Sequence, residues 1–151
     1  MRACNRSVAR SHCKQRLLAP RIYYFDPLLA GPHRSWSVHL SRCKELGFTH
    51  LLSSPLFDPG ESGDLFLSSD HERINPAIAP ASAVDSFITE FARACQEHDL
   101  TLLLDVVVGR VATDSRIARL KPEWFRRDSS GTRVDPRDLR QHGDAALARF
   151  D

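Results

Sequence analysis

An aspartate inside an apolar run is the residue with the clearest capacity for chemistry in this sequence. Residues 101–110 (TLLLDVVVGR) place Asp105 between three leucines and three valines. A short, continuous, β-branched-rich run of this kind is typical of a strand buried on both faces, as in parallel sheets. A carboxylate there is costly to bury without a partner. Asp105 is therefore either an active-site group at a strand end or one half of a structural pair with a neighbouring arginine or backbone amide.

Two earlier segments predict the elements that position this run. Residues 21–25 (RIYYF) are rich in aromatic and β-branched residues and predict the first strand. Residues 48–53 (FTHLLS) predict the second strand, whose end Pro55 limits. Between them we expect a helix with Ser35 as its N-cap and Gly47 in the left-handed position after its end. The apolar face of this helix is formed by Trp36, Leu40, Cys43 and, close by, Leu46.

A second helix is expected before residues 101–110. Ser82 and Asp85 resemble a capping box. The apolar positions that predict this helix are Val84, Phe87, Ile88, Phe91 and Cys95. The order β-α-β-α-β implies parallel strands joined by right-handed crossovers. Farther on, Thr113 or Asp114 is expected to cap a short helix.

Long connections surround these elements. Residues 54–81 are rich in proline and glycine and follow a strand, so we expect them on the face where α/β proteins bind ligands. Their acidic residues are interpreted as solvated charge in a flexible loop: Asp58, Glu61 and Asp64. Trp124 and Phe125 are expected to anchor a later loop to the core, and residues 128–143 to form an exposed loop.

The charge distribution divides the chain at residue 20. Six of the 21 basic residues precede the first acid, Asp26: Arg2, Arg6, Arg10, Lys14, Arg16 and Arg21. The rest of the chain keeps 15 bases against 19 acids, a net charge of −4. This balance argues against nucleic-acid binding by residues 22–151. Residues 1–20 lack the apolar centre of a secretory signal and predict a basic, disordered extension, with an organellar transit peptide as the alternative.

Neither a membrane span nor a metal site is predicted. No apolar run approaches the length that crosses a bilayer. The four cysteines show no metal-ligand spacing: Cys4, Cys13, Cys43 and Cys95. We expect free, reduced thiols, of which Cys43 and Cys95 lie on helix faces, and a cytoplasmic location.

Four segments, in order, resemble the α-amylase family of glycoside hydrolases and transglycosylases. Residues 21–32 (RIYYFDPLLAGP) and 47–59 (GFTHLLSSPLFDP) are similar to the first two barrel strands and their turns. Residues 62–76 (SGDLFLSSDHERINP) resemble a loop that ends in Asp-Tyr-Tyr, Arg, an aliphatic residue and Asn-Pro. Residues 101–110 fall on the family's first conserved region. Residues 121–125 (KPEWF) resemble His-Pro-Glu-Trp-Phe in the bacterial maltosyltransferase branch, to which the chain is most similar.

This resemblance implies an α/β fold and an incomplete active site. Residues 21–151 would be the amino-terminal portion of a (β/α)8 TIM barrel: its first three parallel strands, two intervening helices and long loops. Family members use an Asp nucleophile on the fourth strand, a Glu general acid on the fifth and a further Asp after the seventh. Retention needs two carboxyl groups across the scissile bond. Because those positions are missing, the resemblance implies that the chain contains no catalytic residue and is inactive alone.

The resemblance gives roles to residues at the strand end. Asp105 matches the aspartate that holds an active-site arginine and its hydrogen-bond network in place. Gly109 and Arg110 replace the Asn or Gln that often ligates calcium and the His that touches the sugar. These losses put metal binding in doubt, and we expect no metal and no cofactor. Arg110 either contacts a phosphate or carboxylate bidentately or forms a plain surface salt bridge.

Three loop residues are further candidates for substrate binding. Phe66 stands where the family has a tyrosine that stacks on the sugar, so it keeps the stacking face and loses the hydroxyl. Packing of the loop is the alternative role. Asp70 matches the first residue of Asp-Tyr-Tyr, and Asn75 matches Asn-Pro and would fix the turn. Both tyrosines are replaced, by His71 and Glu72.

Three hypotheses follow from the sequence. The first is a fragment of an enzyme that acts on an α-glucan or a maltosyl donor. The second is a degenerate, non-catalytic module that binds glucan or acts as a scaffold. The third is an unrelated small α/β domain that acts through partner contacts. Three strands leave a sheet edge unpaired, which predicts self-association.

Overall fold

The computed structural model describes residues 19–134 and, for their backbone, residues 145–147. The expectations for the basic extension, for Cys4 and Cys13, and for most of the exposed loop at 128–143 therefore lie outside the described residues. In chain order the elements are β1 (Ile22–Phe25), α1 (Pro27–Ala30), α2 (Ser37–Glu45), β2 (His50–Ser53), β3 (Phe57–Asp58), β4 (Asp70–Ile74), α3 (Val84–Glu97), β5 (Thr101–Leu104), β6 (Arg110–Ala112), α4 (Arg116–Leu120) and β7 (Ala145–Leu147).

A three-stranded parallel sheet organises these elements. Its strand order is β1-β2-β5, and all three strands run parallel. Tyr24, Leu52 and Leu103 are in register across the sheet. The predicted β-α-β-α-β order is thus confirmed, with α2 and α3 as the crossover helices.

The core lies between the helices and one face of the sheet. Its buried residues include Phe25, Trp36, Leu40, Cys43, Leu51, Phe87, Phe91 and Cys95. The Phe25 ring meets the Trp36 ring edge to face at a centroid distance of 5.1 Å. Tyr24, one position away on the alternating strand, is 51% exposed. One face of the sheet is therefore packed, and the residues described here leave the alternate positions of β1 accessible.

The strand that contains the apolar run is shorter than predicted. β5 ends at Leu104, and Val108 is 69% exposed. The expectation of a ten-residue strand buried on both faces is wrong for the described chain. The physical reason is that Leu104 pairs with Ser53, the last residue of β2, and among the described residues no other strand pairs with β5. An edge strand has hydrogen-bonding partners on one side only.

Both predicted helix caps are wrong, although both helices and most of their buried faces are confirmed. Ser35 lies in a 3-10 turn, His33–Ser35, and its hydroxyl donates to the carbonyl of Pro32 at 2.8 Å. Ser82 does not cap α3, because Ala83 is the N-cap and makes no side-chain hydrogen bond. Leu46 is exposed. Gly47 has the predicted left-handed backbone, with φ +82°.

A short helix, α1, was not predicted. The carboxylate of Asp26 accepts hydrogen bonds from the backbone N–H groups of Leu28, at 2.9 Å, and Leu29, at 3.4 Å. Pro27 occupies the first turn, where its missing N–H costs nothing. An aspartate followed by proline therefore starts a helical turn here, as well as ending the strand.

The long connection 54–81 contains a hairpin. β3 and β4 pair antiparallel, with Phe57 opposite Ile74. Asp58 is only partly exposed and lies 3.9 Å from Arg73, so its interpretation as solvated charge is wrong. Glu61 is exposed, and the Asp64 carboxylate accepts from the Phe66 N–H at 2.8 Å. Secondary structure thus gives this connection a defined path.

The region after β5 differs from the sequence expectations at two points, the N-cap of α4 and the exposure of Trp124. Ser115 caps α4, where its hydroxyl accepts from the Ala118 N–H at 3.1 Å. The predicted caps, Thr113 and Asp114, precede that position. Phe125 is buried, as predicted of an anchor, whereas Trp124 is 50% exposed.

Candidate functional site

The carboxyl ends of the three parallel strands meet at one edge of the sheet. The Ser54 N–H donates to the carbonyl of Phe25 at 3.0 Å, and the Asp105 N–H donates to that of Ser53 at 2.9 Å. These bonds continue the sheet's pairing one residue beyond β2 and β5. They place Asp105 beside the start of the connection after β2, the edge where parallel α/β folds bind ligands.

Two buried serines make this edge polar. Ser53 and Ser54 are fully buried, and the Ser53 hydroxyl donates to the Ser54 carbonyl at 3.0 Å. The Ser54 hydroxyl has no hydrogen-bond partner among the residues that the structure describes. A buried hydroxyl without a partner is uncommon in proteins, so this one is a candidate to bind a group from outside the described residues. In the sequence, the feature that points to Ser54 is the Ser-Pro pair that follows a predicted strand.

Asp105 itself is half-buried. No ion pair involving Asp105 forms within the described part of the chain. Its backbone position is fixed by Ser53, while its carboxylate remains available to a cation. Of the two roles considered for Asp105, the structural pair with an arginine is not made by these residues.

His71 joins the hairpin to the segment after β5. Its ring lies 5.2 Å from that of Phe57, and it hydrogen-bonds to the backbone of Val107. Burial lowers the pKa of His71 below the ordinary 6.5, against the opposing effects of Asp70 and of the Val107 hydrogen bond. The imidazole is therefore biased towards its neutral form. From the sequence, His71 was interpreted only as the replacement of a tyrosine in the family's loop pattern.

The three loop candidates lie on different parts of the connection. Phe66 is half-buried. The Asp70 carboxylate accepts from the Glu72 N–H at 2.9 Å. Asn75 is buried, and its side-chain oxygen accepts from the Ala77 N–H at 2.9 Å, so it fixes the turn after β4. No hydrogen bond or ion pair between described residues links Phe66, Asp70 or Asn75 to Asp105.

Arg110 begins the antiparallel β6–β7 pair, and Gly109 directly precedes this strand. Arg110 is half-buried and lies opposite Leu147 in the register. Its buried Nε has no hydrogen-bond partner, and it has no carboxylate partner, within residues 19–134. The plain salt bridge considered for Arg110 is therefore not formed by these residues.

Among the described residues, no group of three or more His, Cys, Asp or Glu side chains is placed to hold a metal ion. None of their helices has the length and apolar character needed to cross a membrane.

One curated relative is similar to most of the chain. It is the alpha-1,4-glucan:maltose-1-phosphate maltosyltransferase of Burkholderia pseudomallei (strain K96243), 28% identical over 131 residues. The match covers 86% of this chain and 12% of that protein, so the chain spans about an eighth of its relative's length. No protein-family profile matches the sequence.

Solved structures share the fold. An α-amylase from Lactobacillus plantarum superimposes with a TM-score of 0.71 at 22% identity, over 85% of this chain and 31% of that one. This chain matches part of an α-amylase-family barrel. A maltogenic α-amylase from Thermotoga neapolitana gives a TM-score of 0.70 at 21% identity, over 86% of this chain and 32% of that one. The resemblance to the α-amylase family and the partial barrel are thus confirmed.

Proposed function

We propose that the chain is part of the catalytic barrel of an α-amylase-family enzyme that acts on α-1,4-glucans with retention. The observation that carries this proposal is the place of Asp105, directly after β5 at the carboxyl edge of three parallel strands. Barrel enzymes carry their active sites at this edge. The name of the relative from Burkholderia makes an α-glucan or a maltosyl donor the proposed ligand.

In this proposal Asp105 is a positioning residue and not the nucleophile. Its backbone is held by Ser53, and its half-buried carboxylate is free of ion pairs in the part of the chain described here. Such a carboxylate can orient a guanidinium through paired, charge-assisted hydrogen bonds. Phe66, Asp70, Asn75, Gly109 and Arg110 are the proposed surroundings of the ligand.

The chain alone is proposed to be inactive, because the two carboxyl groups that retention requires belong to strands it does not contain. The test incubates the purified chain, from a host without amylases, with maltoheptaose alone and with maltose 1-phosphate added. We expect no new reducing ends and no released phosphate. Sustained turnover that follows the chain through purification would overturn this part of the proposal.

A second candidate function is a degenerate glucan-binding or scaffolding module. The observation that favours it is that both replacements for the family's tyrosines have partners of their own. Glu72 forms an ion pair with Arg116, and His71 contacts Phe57 and Val107. His71 thus packs within the loop, while Glu72 pairs with Arg116 on the exposed surface, as expected of a site that has changed its role.

Calorimetric titration with maltoheptaose distinguishes the two candidate functions by testing for a ligand at the strand edge. A binding module predicts heat that is lost in Phe66→Ala and kept in Leu29→Ala, a change at an exposed position of α1. Absence of heat at millimolar ligand would exclude this candidate. Binding that is equal in both variants would place the ligand away from Phe66.

Location and assembly complete the proposal. Cys43 and Cys95 are buried free thiols, which fits a reducing compartment such as the cytoplasm.

The outer edges of β1 and β5 have no strand partner within the described residues, so self-association through them is expected. Light scattering tests this, and a monodisperse monomer over a range of concentrations would contradict it.

A further inference from the structure

Residues 126–134 form a short hairpin that is fixed to the rest of the fold. Its two arms pair antiparallel. The Arg133 guanidinium donates to the carbonyl of Thr113, at 2.9 Å, and to that of Ala118, at 2.6 Å, and thereby ties one arm to the region around α4. The other arm follows Phe125, whose side chain is buried. The turn between the arms is therefore held at the surface by contacts on both sides.

The turn holds two serines whose hydroxyl groups have different surroundings. The Gly131 N–H donates to the Asp128 carbonyl at 3.0 Å, so Ser129 and Ser130 are the central residues of a β-turn. The Ser130 hydroxyl donates to the Asp128 carboxylate at 2.6 Å. Ser129 is exposed, and no hydrogen bond between described residues involves its hydroxyl. Of the two serines, it is Ser129 that offers its hydroxyl to an incoming group.

Two arginines directly precede this pair of serines in the hairpin. Arg126 lies three positions before Ser129 and Arg127 two positions before it, and no other serine or threonine of the sequence has arginine at both positions. Arg126 is exposed and forms no ion pair with a described residue. The Arg127 guanidinium donates to the Gly131 carbonyl at 2.6 Å. Guanidinium groups bind carboxylates through paired, charge-assisted hydrogen bonds, so this turn fits an acidic recognition surface.

The surroundings of the turn are basic, although most of the chain is acidic. Residues 22–112 contain twice as many acids as bases. Residues 113–134 have the reverse balance, with the bases Arg116, Arg119, Lys121, Arg126, Arg127 and Arg133 against the acids Asp114, Glu123 and Asp128. The Asp128 carboxylate is turned into the hairpin, where it accepts from the N–H groups of Ser130, at 2.9 Å, and Thr132, at 3.0 Å. A basic surface of this kind favours encounter with an acidic partner.

We propose that Ser129 is a phosphorylation site for a serine kinase with an acidic substrate groove, and that Arg126 and Arg127 are the residues the kinase recognises. In the transfer, the Ser129 Oγ forms a bond to the γ-phosphorus of ATP, and the bond from that phosphorus to the bridging oxygen of ADP breaks. The hydroxyl proton passes to the catalytic carboxylate of the kinase, and ADP leaves. The turn then carries about −1.5 to −2 additional charge at pH 7, which the two neighbouring arginines can pair with.

Phosphorylation of the full chain tests the site directly. The chain is incubated with ATP, Mg²⁺ and the catalytic subunit of cyclic-AMP-dependent protein kinase, which selects serines that follow arginines. Mass-spectrometric sequencing should locate one phosphoryl group at Ser129 in the wild type and in Ser130→Ala, and none there in Ser129→Ala. Arg126→Ala should lower kcat/KM for the phosphorylation about tenfold or more, as expected for loss of a charge-assisted hydrogen bond. Arg42→Ala, a change at an exposed arginine of α2, should leave kcat/KM unchanged.

Each outcome bears on the proposal. Absence of phosphate from Ser129 overturns it, and so does phosphate at another serine in place of Ser129. Equal kcat/KM in Arg126→Ala and the wild type would also overturn it, because the arginines would then have no part in recognition. Phosphorylation of Ser129 only after heat denaturation would show that the folded turn does not present the hydroxyl. Circular dichroism of every variant shows that loss of phosphorylation is not loss of the fold.

Discussion

The backbone N–H of Asp105 donates to the carbonyl of Ser53 at 2.9 Å, one residue past the end of β5. This bond keeps the aspartate in line with the sheet although its strand has ended. The side chain is therefore presented at the carboxyl edge from a fixed backbone. This relationship separates a positioning carboxylate from a mobile surface charge, and it is the basis of the role proposed for Asp105.

Two glycines in the connection after β3 have similar backbones and different surroundings. Gly60 has φ +73°, and a Cβ there would lie 2.7 Å from a carboxylate oxygen of Asp114 and 3.1 Å from the Ala112 Cβ. Gly63 has φ +69° and open space around it. We expect Gly63→Ala to cost about 1 kcal/mol from the left-handed backbone alone. Gly60→Ala should cost roughly 1–3 kcal/mol more from overpacking.

Urea unfolding of the two alanine variants measures this difference. The Asp114 carboxylate also accepts from the Glu61 N–H at 3.0 Å, so it cannot move aside without losing that bond. Equal losses of unfolding free energy in the two variants would show that Asp114 rearranges freely.

The cap of α4 can be tested against the caps expected from the sequence. The buried Ser115 hydroxyl accepts from the Ala118 N–H, so Ser115→Ala should lower the free energy of unfolding by about 1–2 kcal/mol. Thr113→Ala is the matched control, with an expected effect within about 0.5 kcal/mol. Chemical denaturation checks both, and a larger effect at Thr113 would contradict the assignment of the cap.

Protonation of His71 is expected to destabilise the fold in mild acid. Its folded pKa is lowered below the ordinary 6.5, chiefly by burial, so the unfolded chain binds the proton more readily. Stability contributed by this group is present above pH 6.5 and is lost as the pH falls towards the folded pKa.

Denaturation at about pH 7.5 and about pH 5.5 spans this change. His71→Gln should reduce the difference in unfolding free energy between the two conditions. Leu29→Ala, a change at an exposed position of α1, is the control and should leave that difference intact. An unchanged difference in His71→Gln would show that other groups carry the acid dependence.

The buried thiol of Cys95 predicts an alkaline dependence. Burial raises its pKa to about 12 from the ordinary 9.0, with a further contribution from Cys43. The folded state therefore holds its proton more tightly than the unfolded chain, and stability falls as the pH rises from 9 towards 12.

Unfolding measured across this alkaline range in the wild type and in Cys95→Ala tests the effect. The variant is less stable overall because it leaves a cavity, but its stability should fall less steeply with pH. Parallel slopes in the two proteins would contradict a role for Cys95. Reaction of the native protein with a thiol reagent should likewise be slower at Cys95 than in the unfolded chain.

The sequence determined those features that depend on local pattern. Apolar periodicity was sufficient for both crossover helices and for the buried faces at Leu40 and Phe91, because burial repeats with the period of the element. Short apolar segments between breakers were sufficient to place the three strands. The left-handed position of Gly47 was also predictable, since a glycine after an apolar helix has few other roles. The order of motifs was enough to indicate the α-amylase family.

The tertiary structure alone decided how distant segments meet. The bond between Asp105 and Ser53, the ion pair between Glu72 and Arg116, and the contact of His71 with Val107 join residues far apart in the chain, and no local pattern encodes such pairings. The predicted N-caps were wrong for the same reason. Several polar residues near the start of a helix can cap it, and the path of the incoming chain decides which of them does. β5 is shorter than its apolar run because a strand continues only where a neighbour supplies hydrogen bonds.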